Sequence, residues 1–236
     1  MAYSREDIVN KVNAALTNPS TLYDADFVNY RGSVDGIRYT EIAAREISRR
    51  VKTDNFSALL EIPTISRSSS YKTASHAKKA TRAKPDNSGR EEEWIAISMY
   101  GKIYNGIGEI LDFQVPLKDA MSDSAGKIDL LSYNKAENTA YILELKKPGS
   151  NETLLRCALE AYTYWKTVDK EKLLRDFGIE GAELRKAILI FSNCVAYKDF
   201  QDDACEAVYS LMCDKLHVDL FVLNNNWSEV IDGYKH

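Results

Sequence analysis

Gly126-Lys127-Ile128-Asp129-Leu130-Leu131, followed by Ala140-Tyr141-Ile142-Leu143-Glu144-Leu145-Lys146-Lys147, is the stretch that decides how this chain reads. Each half is an apolar strand interrupted by charge. A buried carboxylate or ammonium without a partner is costly, so charges inside such strands are usually paired, metal-bound or catalytic. Side chains alternate along a strand, which puts Ile142, Glu144 and Lys146 on one face and Tyr141, Leu143 and Leu145 on the other. The run Asn134-Lys135-Ala136-Glu137-Asn138-Thr139 is polar and turn-like, so the two strands predict a hairpin. A hairpin brings Asp129 near Glu144. Two carboxylates and an ammonium then converge at one spot, a set that suits a divalent metal and an activated water.

Asp, a spacer, then Glu-x-Lys on the next strand resembles the PD-(D/E)xK nuclease superfamily, the restriction-endonuclease-like fold. The resemblance runs from Ser88 to Asn224. It rests on context: Gly-x-x-Asp on the first strand, an apolar strand leading to Glu144, and a helix after Lys146. Ile128 stands where the family name has Pro. The resemblance implies an α/β chain with an αβββαβ core, its mixed central sheet flanked by helices. It implies that Asp129 and Glu144 bind one or two Mg²⁺ ions, with Mn²⁺ as a substitute and the Leu145 carbonyl as a further ligand. Lys146 would orient or deprotonate the water and neutralise charge on the phosphate. Many members place a Glu on the first core helix; by that match the role falls to Glu93, with Glu92 as the fallback. The implied activity is metal-dependent phosphodiester hydrolysis, with DNA ahead of RNA as substrate. The alternative is a catalytically inactive nucleic-acid- or protein-binding module on the same fold, since a fold does not fix a function. Many members dimerise, and the N-terminal helices are the candidate surface for a homodimer.

Outward from the motif, the chain divides into three. Residues 1–62 read as a small helical region. Ile8, Val9, Val12, Ala15 and Leu16 line one side of a first helix, which Asn18-Pro19-Ser20 ends. Tyr39, Ala43, Ile47 and Val51 line a second, with Ile42 beside them. Residues 63–90 read as a flexible basic linker, with seven basic residues against one acid, Asp86. Lys78, Lys79, Arg82 and Lys84 in it are candidate phosphate contacts. Residues 91–236 read as the nuclease-like domain. Its first helix starts at a capping box, Ser88 to Glu91. Strands follow at Ile110–Leu117, Ile128–Tyr133 and Tyr141–Lys146, then a helix from Asn151 to Val168 capped by Ser150 or Asn151. A short helix, Lys170–Phe177, stops at Gly178, and a buried strand covers Lys186–Phe191. A helix over Phe200–Leu216 and a strand over Val218–Leu223 complete the pattern. Glu160 and Tyr164 are helical neighbours four apart, as in the Gln-x-x-x-Tyr of some exonuclease-like members, with Glu in place of Gln. Tyr164 is the candidate phosphate contact there.

The bulk numbers exclude more than they assign. A net charge of −4 over 236 residues does not announce a nucleic-acid binder, although local patches matter more than the sum. Cys157, Cys194, Cys205 and Cys213 have no zinc spacing and read as buried hydrophobes. No apolar run approaches the ~18 residues of a membrane span, and the first residues are polar, so the expectation is a reduced, cytoplasmic protein without a membrane partner. Gly106-Ile107-Gly108 lacks the third glycine of a dinucleotide fingerprint. His76, His217 and His236 are scattered and carry no assigned role.

Overall fold

The hairpin forms at the centre of a seven-stranded sheet. The computed structural model describes residues 3–50, 58–79, 90–119 and 126–236. In chain order, α1 (Arg5–Ala15) leads to a small hairpin of β1 (Ser33–Val34) and β2 (Ile37–Arg38), then α2 (Tyr39–Arg50). The one-turn α3 (His76–Lys79) precedes α4 (Glu91–Met99). The sheet follows: β3 (Ile103–Tyr104), β4 (Gly108–Pro116), β5 (Lys127–Asn134) and β6 (Thr139–Leu145). Helices α5 (Leu154–Thr167) and α6 (Lys170–Phe177) cross to β7 (Glu183–Phe191). Helices α7 (Val195–Phe200) and α8 (Glu206–Ser210) cross to β8 (Asp219–Leu223), and β9 (Val230–Tyr234) closes the chain.

Strand order is β3-β4-β5-β6-β7-β8-β9. The first four strands form an antiparallel meander, while β6-β7 and β7-β8 are parallel. The change has a direct cause. Polar turns return the chain within the meander, whereas parallel neighbours need helical crossovers. Helix α4, strands β4, β5 and β6, helix α5 and strand β7 occur in that chain order, with β3 and α6 between them, in a mixed sheet flanked by helices. Three short strands, β1, β2 and β3, and the edge strand β9 fall outside the strands expected from the sequence, because two-residue pairings and exposed edges leave little periodicity to read.

Local chemistry explains the helix bounds. Ser4 and Asp7 form a capping box at α1. Thr153, rather than Ser150 or Asn151, caps α5 by accepting from the Arg156 N–H. Asp169 caps α6, and Gly178 ends it in the left-handed conformation (φ 69°). The Ser88 cap lies outside the described residues, as does Val51. Between Phe200 and Leu216 the single helix expected is broken into a 3₁₀ turn, α8 and a π-helical turn at Leu211–Lys215.

The N-terminal helices share a core with the sheet. Ile8, Val12, Ile42, Ala43 and Ile47 are buried in the same cluster as Leu143, Leu145, Ile188 and Phe221. Residues 63–79 also lie against the sheet layer rather than apart from it. Ile65 bridges Val168, Tyr71 is fully buried, and the Arg67 guanidinium donates to the carbonyls of Pro116 (3.1 Å) and Lys118 (2.5 Å). The basic composition hid this, because Arg67 is spent on backbone carbonyls. All four cysteines are buried and free.

Candidate active site

Strands β5 and β6 pair with Leu130 opposite Leu143, so Asp129 and Glu144 are neighbours at the end of the pair. The Leu145 N–H donates to Asp129 Oδ2 (3.0 Å), and Gln114 Nε2 on β4 donates to Oδ1 (2.9 Å). Lys146 follows β6 directly, and its N–H donates to the Leu189 carbonyl of β7 (3.0 Å). That bond prolongs the strand geometry by one residue and sets the Lys146 side chain beside that of Glu144, as alternation requires. Lys146 Nζ lies 2.5 Å from Glu144 Oε1, 3.2 Å from Glu160 Oε2 and 2.7 Å from Glu152 Oε2. Glu160 in turn accepts from the Tyr164 hydroxyl (3.0 Å), and Glu152 pairs with Arg156 (3.3 Å). From α4, Glu92 accepts the Lys147 N–H (2.9 Å).

Charge is out of balance here. Among the described residues, five interacting carboxylates (Glu92, Asp129, Glu144, Glu152 and Glu160) share two cations, Lys146 and Arg156. Asp129, Glu144, Lys146 and Glu160 are buried. Burial is the largest cause pushing Asp129 up to about 7, with Lys146 opposing and Glu92 and Glu160 reinforcing it. Burial, then Asp129 and Glu160, push Glu144 upward as well. Glu92 is raised by burial, with Lys146 opposing. Burial would lower the Lys146 ammonium, but the surrounding carboxylates outweigh it and hold the group well above its ordinary value. The sequence pattern leaves Lys146 open to a lowered value; its three acidic partners decide otherwise.

Glu93 does not join this cluster. It pairs with Lys79 and Arg90, and those hydrogen bonds hold its carboxyl below the ordinary range. Glu92 takes the inward position because it shares a helix face with the buried Ile95, Ala96 and Met99. The periodicity of that buried stripe points to Glu92; the Glu93-Ile97-Tyr100 stripe competes with it.

Tyr164 is buried, its hydroxyl committed to Glu160. Gly126 makes room for it: a Cβ there would lie 2.2 Å from the Tyr164 hydroxyl. Lys79 is engaged with Glu93 and lies over the Phe113 ring. Lys78 stands on α3 beside it, while Arg82 and Lys84 lie outside the described residues. Leu145 contributes its N–H to Asp129. Two participants carry no sequence signal of the expected kind. Glu152 precedes a helix as an ordinary polar residue would. Gln114 sits mid-strand with φ 49°, a left-handed conformation costing on the order of 1–2 kcal/mol for a non-glycine residue.

No three or more His, Cys, Asp or Glu side chains among the described residues are grouped to hold a metal ion. The donor chemistry still fits Mg²⁺, which takes hard carboxylate oxygens and keeps several waters. One such oxygen, Glu144 Oε2, is buried with no hydrogen-bond partner among the described residues. A buried polar atom of this kind calls for an explanation, and an ion is one. No protein-family model matches the chain, and neither a curated protein nor a solved structure is significantly similar to it. No helix among the described residues is long and apolar enough to cross a membrane.

Proposed function

We propose that this chain is a Mg²⁺-dependent nuclease of the PD-(D/E)xK type with a restriction-endonuclease-like core, hydrolysing phosphodiester bonds in DNA. The observation that carries the reading is the excess of buried carboxylate over cation at the β5-β6 end among the described residues, with one oxygen of Glu144 unpartnered among them. Asp129 and Glu144 would hold the ion, with Mn²⁺ an alternative occupant. When bound, Mg²⁺ supplies Lewis-acid stabilisation of phosphate charge and lowers the pKa of water. Lys146, held by its acids, would orient or deprotonate the water and neutralise charge on the phosphate oxygens. Glu160 and Glu152 hold that ammonium in place. Glu92 adds negative charge from the α4 side. The basic run between Lys72 and Arg90 supports a polyanionic substrate.

The test is cleavage of plasmid, linear and single-stranded DNA, and of RNA, in Mg²⁺, Mn²⁺ or EDTA, with purified Lys146→Ala alongside. Metal-dependent cutting that vanishes in the folded variant is expected. Equal cutting by variant and wild type, or no metal binding by calorimetry, overturns the reading.

A further inference from the structure

We infer that Gln114 is a positioning residue of this centre, fixing the Asp129 carboxylate through an amide N–H presented by a left-handed backbone. Its consequence for catalysis rests on the nuclease reading; the contact itself does not. Phe113 pairs with Leu130 and Val115 with Ile128, which sets Gln114 across from Asp129. Antiparallel strands hold φ near −140°, but Gln114 has φ 49°. Both neighbours, Phe113 and Val115, are fully buried and pin the chain on either side. Glutamine has none of the local preference for this conformation that glycine or asparagine has. The interaction that accompanies the strain is the 2.9 Å bond from Nε2 to Asp129 Oδ1. With Leu145 N–H on Oδ2, each carboxylate oxygen is held by one donor, which fixes the plane of the group. Each oxygen keeps further acceptor capacity for a cation. An amide suits the position because it orients without changing a charge balance already short of cations. A lysine or arginine would neutralise Asp129, and an acid would add to the excess.

Two variants separate amide from backbone. Gln114→Gly removes the donor and accommodates the positive φ; Gln114→Leu removes the donor and keeps the bulk. A hydrogen bond that orients a metal-ligating carboxylate is worth about 10-fold to 100-fold in metal affinity. Both variants are therefore expected to raise the Mg²⁺ dissociation constant, measured by calorimetry, by about 10-fold or more. They should lower kcat by a similar factor with KM for DNA unchanged. Loss confined to one variant, or unchanged Mg²⁺ affinity in both, overturns the inference. The contact is tested without metal by urea unfolding in EDTA of Gln114→Gly, Asp129→Ala and the double variant. Coupling of about fivefold in the folding equilibrium is expected, and additivity overturns the contact. A wild type that neither binds Mg²⁺ nor cuts DNA overturns the nuclease reading instead, and the unfolding cycle still decides whether Gln114 holds Asp129.

Discussion

Glu41 and Glu144 are both buried glutamates in the same protein, and their surroundings are opposite. Glu41, on α2, accepts the N–H groups of Ala207 (2.9 Å) and Val208 (3.2 Å) at the start of α8, and pairs with Arg45 (3.0 Å). Those N–H groups have no partner within their own helix, so the carboxylate completes them. Glu144 has Lys146 on one oxygen, no hydrogen-bond partner among the described residues on the other, and acids on either side. Burial alone does not mark a functional acid. A structural acid has its charge matched by donors; the acids at the β5-β6 end outnumber theirs.

Four measurements test whether the two acids differ in this way. The largest effect is on cleavage. Glu144→Gln or Lys146→Ala is expected to lower kcat/KM by about a thousandfold, while Glu41→Gln leaves it near wild type wherever the protein stays folded. Comparable losses from both sites would erase the distinction. Next comes stability. Glu41→Ala leaves buried N–H donors without an acceptor and should cost about 2–4 kcal/mol in urea unfolding.

The third is a pH profile. Asp129 is raised in the folded chain from 3.8 to about 7, so folded protein binds a proton that unfolded protein has released. Metal-free stability therefore falls as pH rises from about 4 through 7, and the melting temperature should drop by roughly 10 °C over that range. Added Mg²⁺ should restore it at pH 8, because binding favours the folded chain. A flat profile in EDTA would show that the cluster carries no excess charge. The smallest effect has an unusual sign. Glu144→Gln removes a carboxyl that burial and its acidic neighbours make costly to ionise, and should raise the metal-free melting temperature at pH 8 by roughly 2 °C. A decrease would place Glu144 with Glu41 among the structural acids.

Much of this centre is legible in the sequence because a strand has a period of two. Glu144 and Lys146 must share a face, and a polar turn must return Asp129 toward them. The α4 contact is legible in kind but not in phase. Glu92 and Glu93 are adjacent in a run of three acids, and the choice depends on which stripe the sheet covers. Gln114 is illegible, since its role comes from a backbone angle and a cross-strand register. The burial of Arg67 and Tyr71 is illegible for a related reason. Their partners are backbone carbonyls and side chains about fifty to a hundred residues away, which a basic, serine-rich composition does not reveal.

Thr153 caps α5, and its own partners come from the N-terminal region. Its N–H donates to Asn29 Oδ1 (2.9 Å) and its hydroxyl to the Val28 carbonyl (2.5 Å), while Arg31 reaches the Asn151 carbonyl (2.8 Å). The helix so anchored carries Glu160, which grips Lys146. A gene boundary drawn after residue 62 would thus separate the centre from its buttress. The two parts are best cloned, mutated and inherited as one piece, and swapping the first for a different leader would loosen the grip on Lys146 from about 120 residues away in the chain.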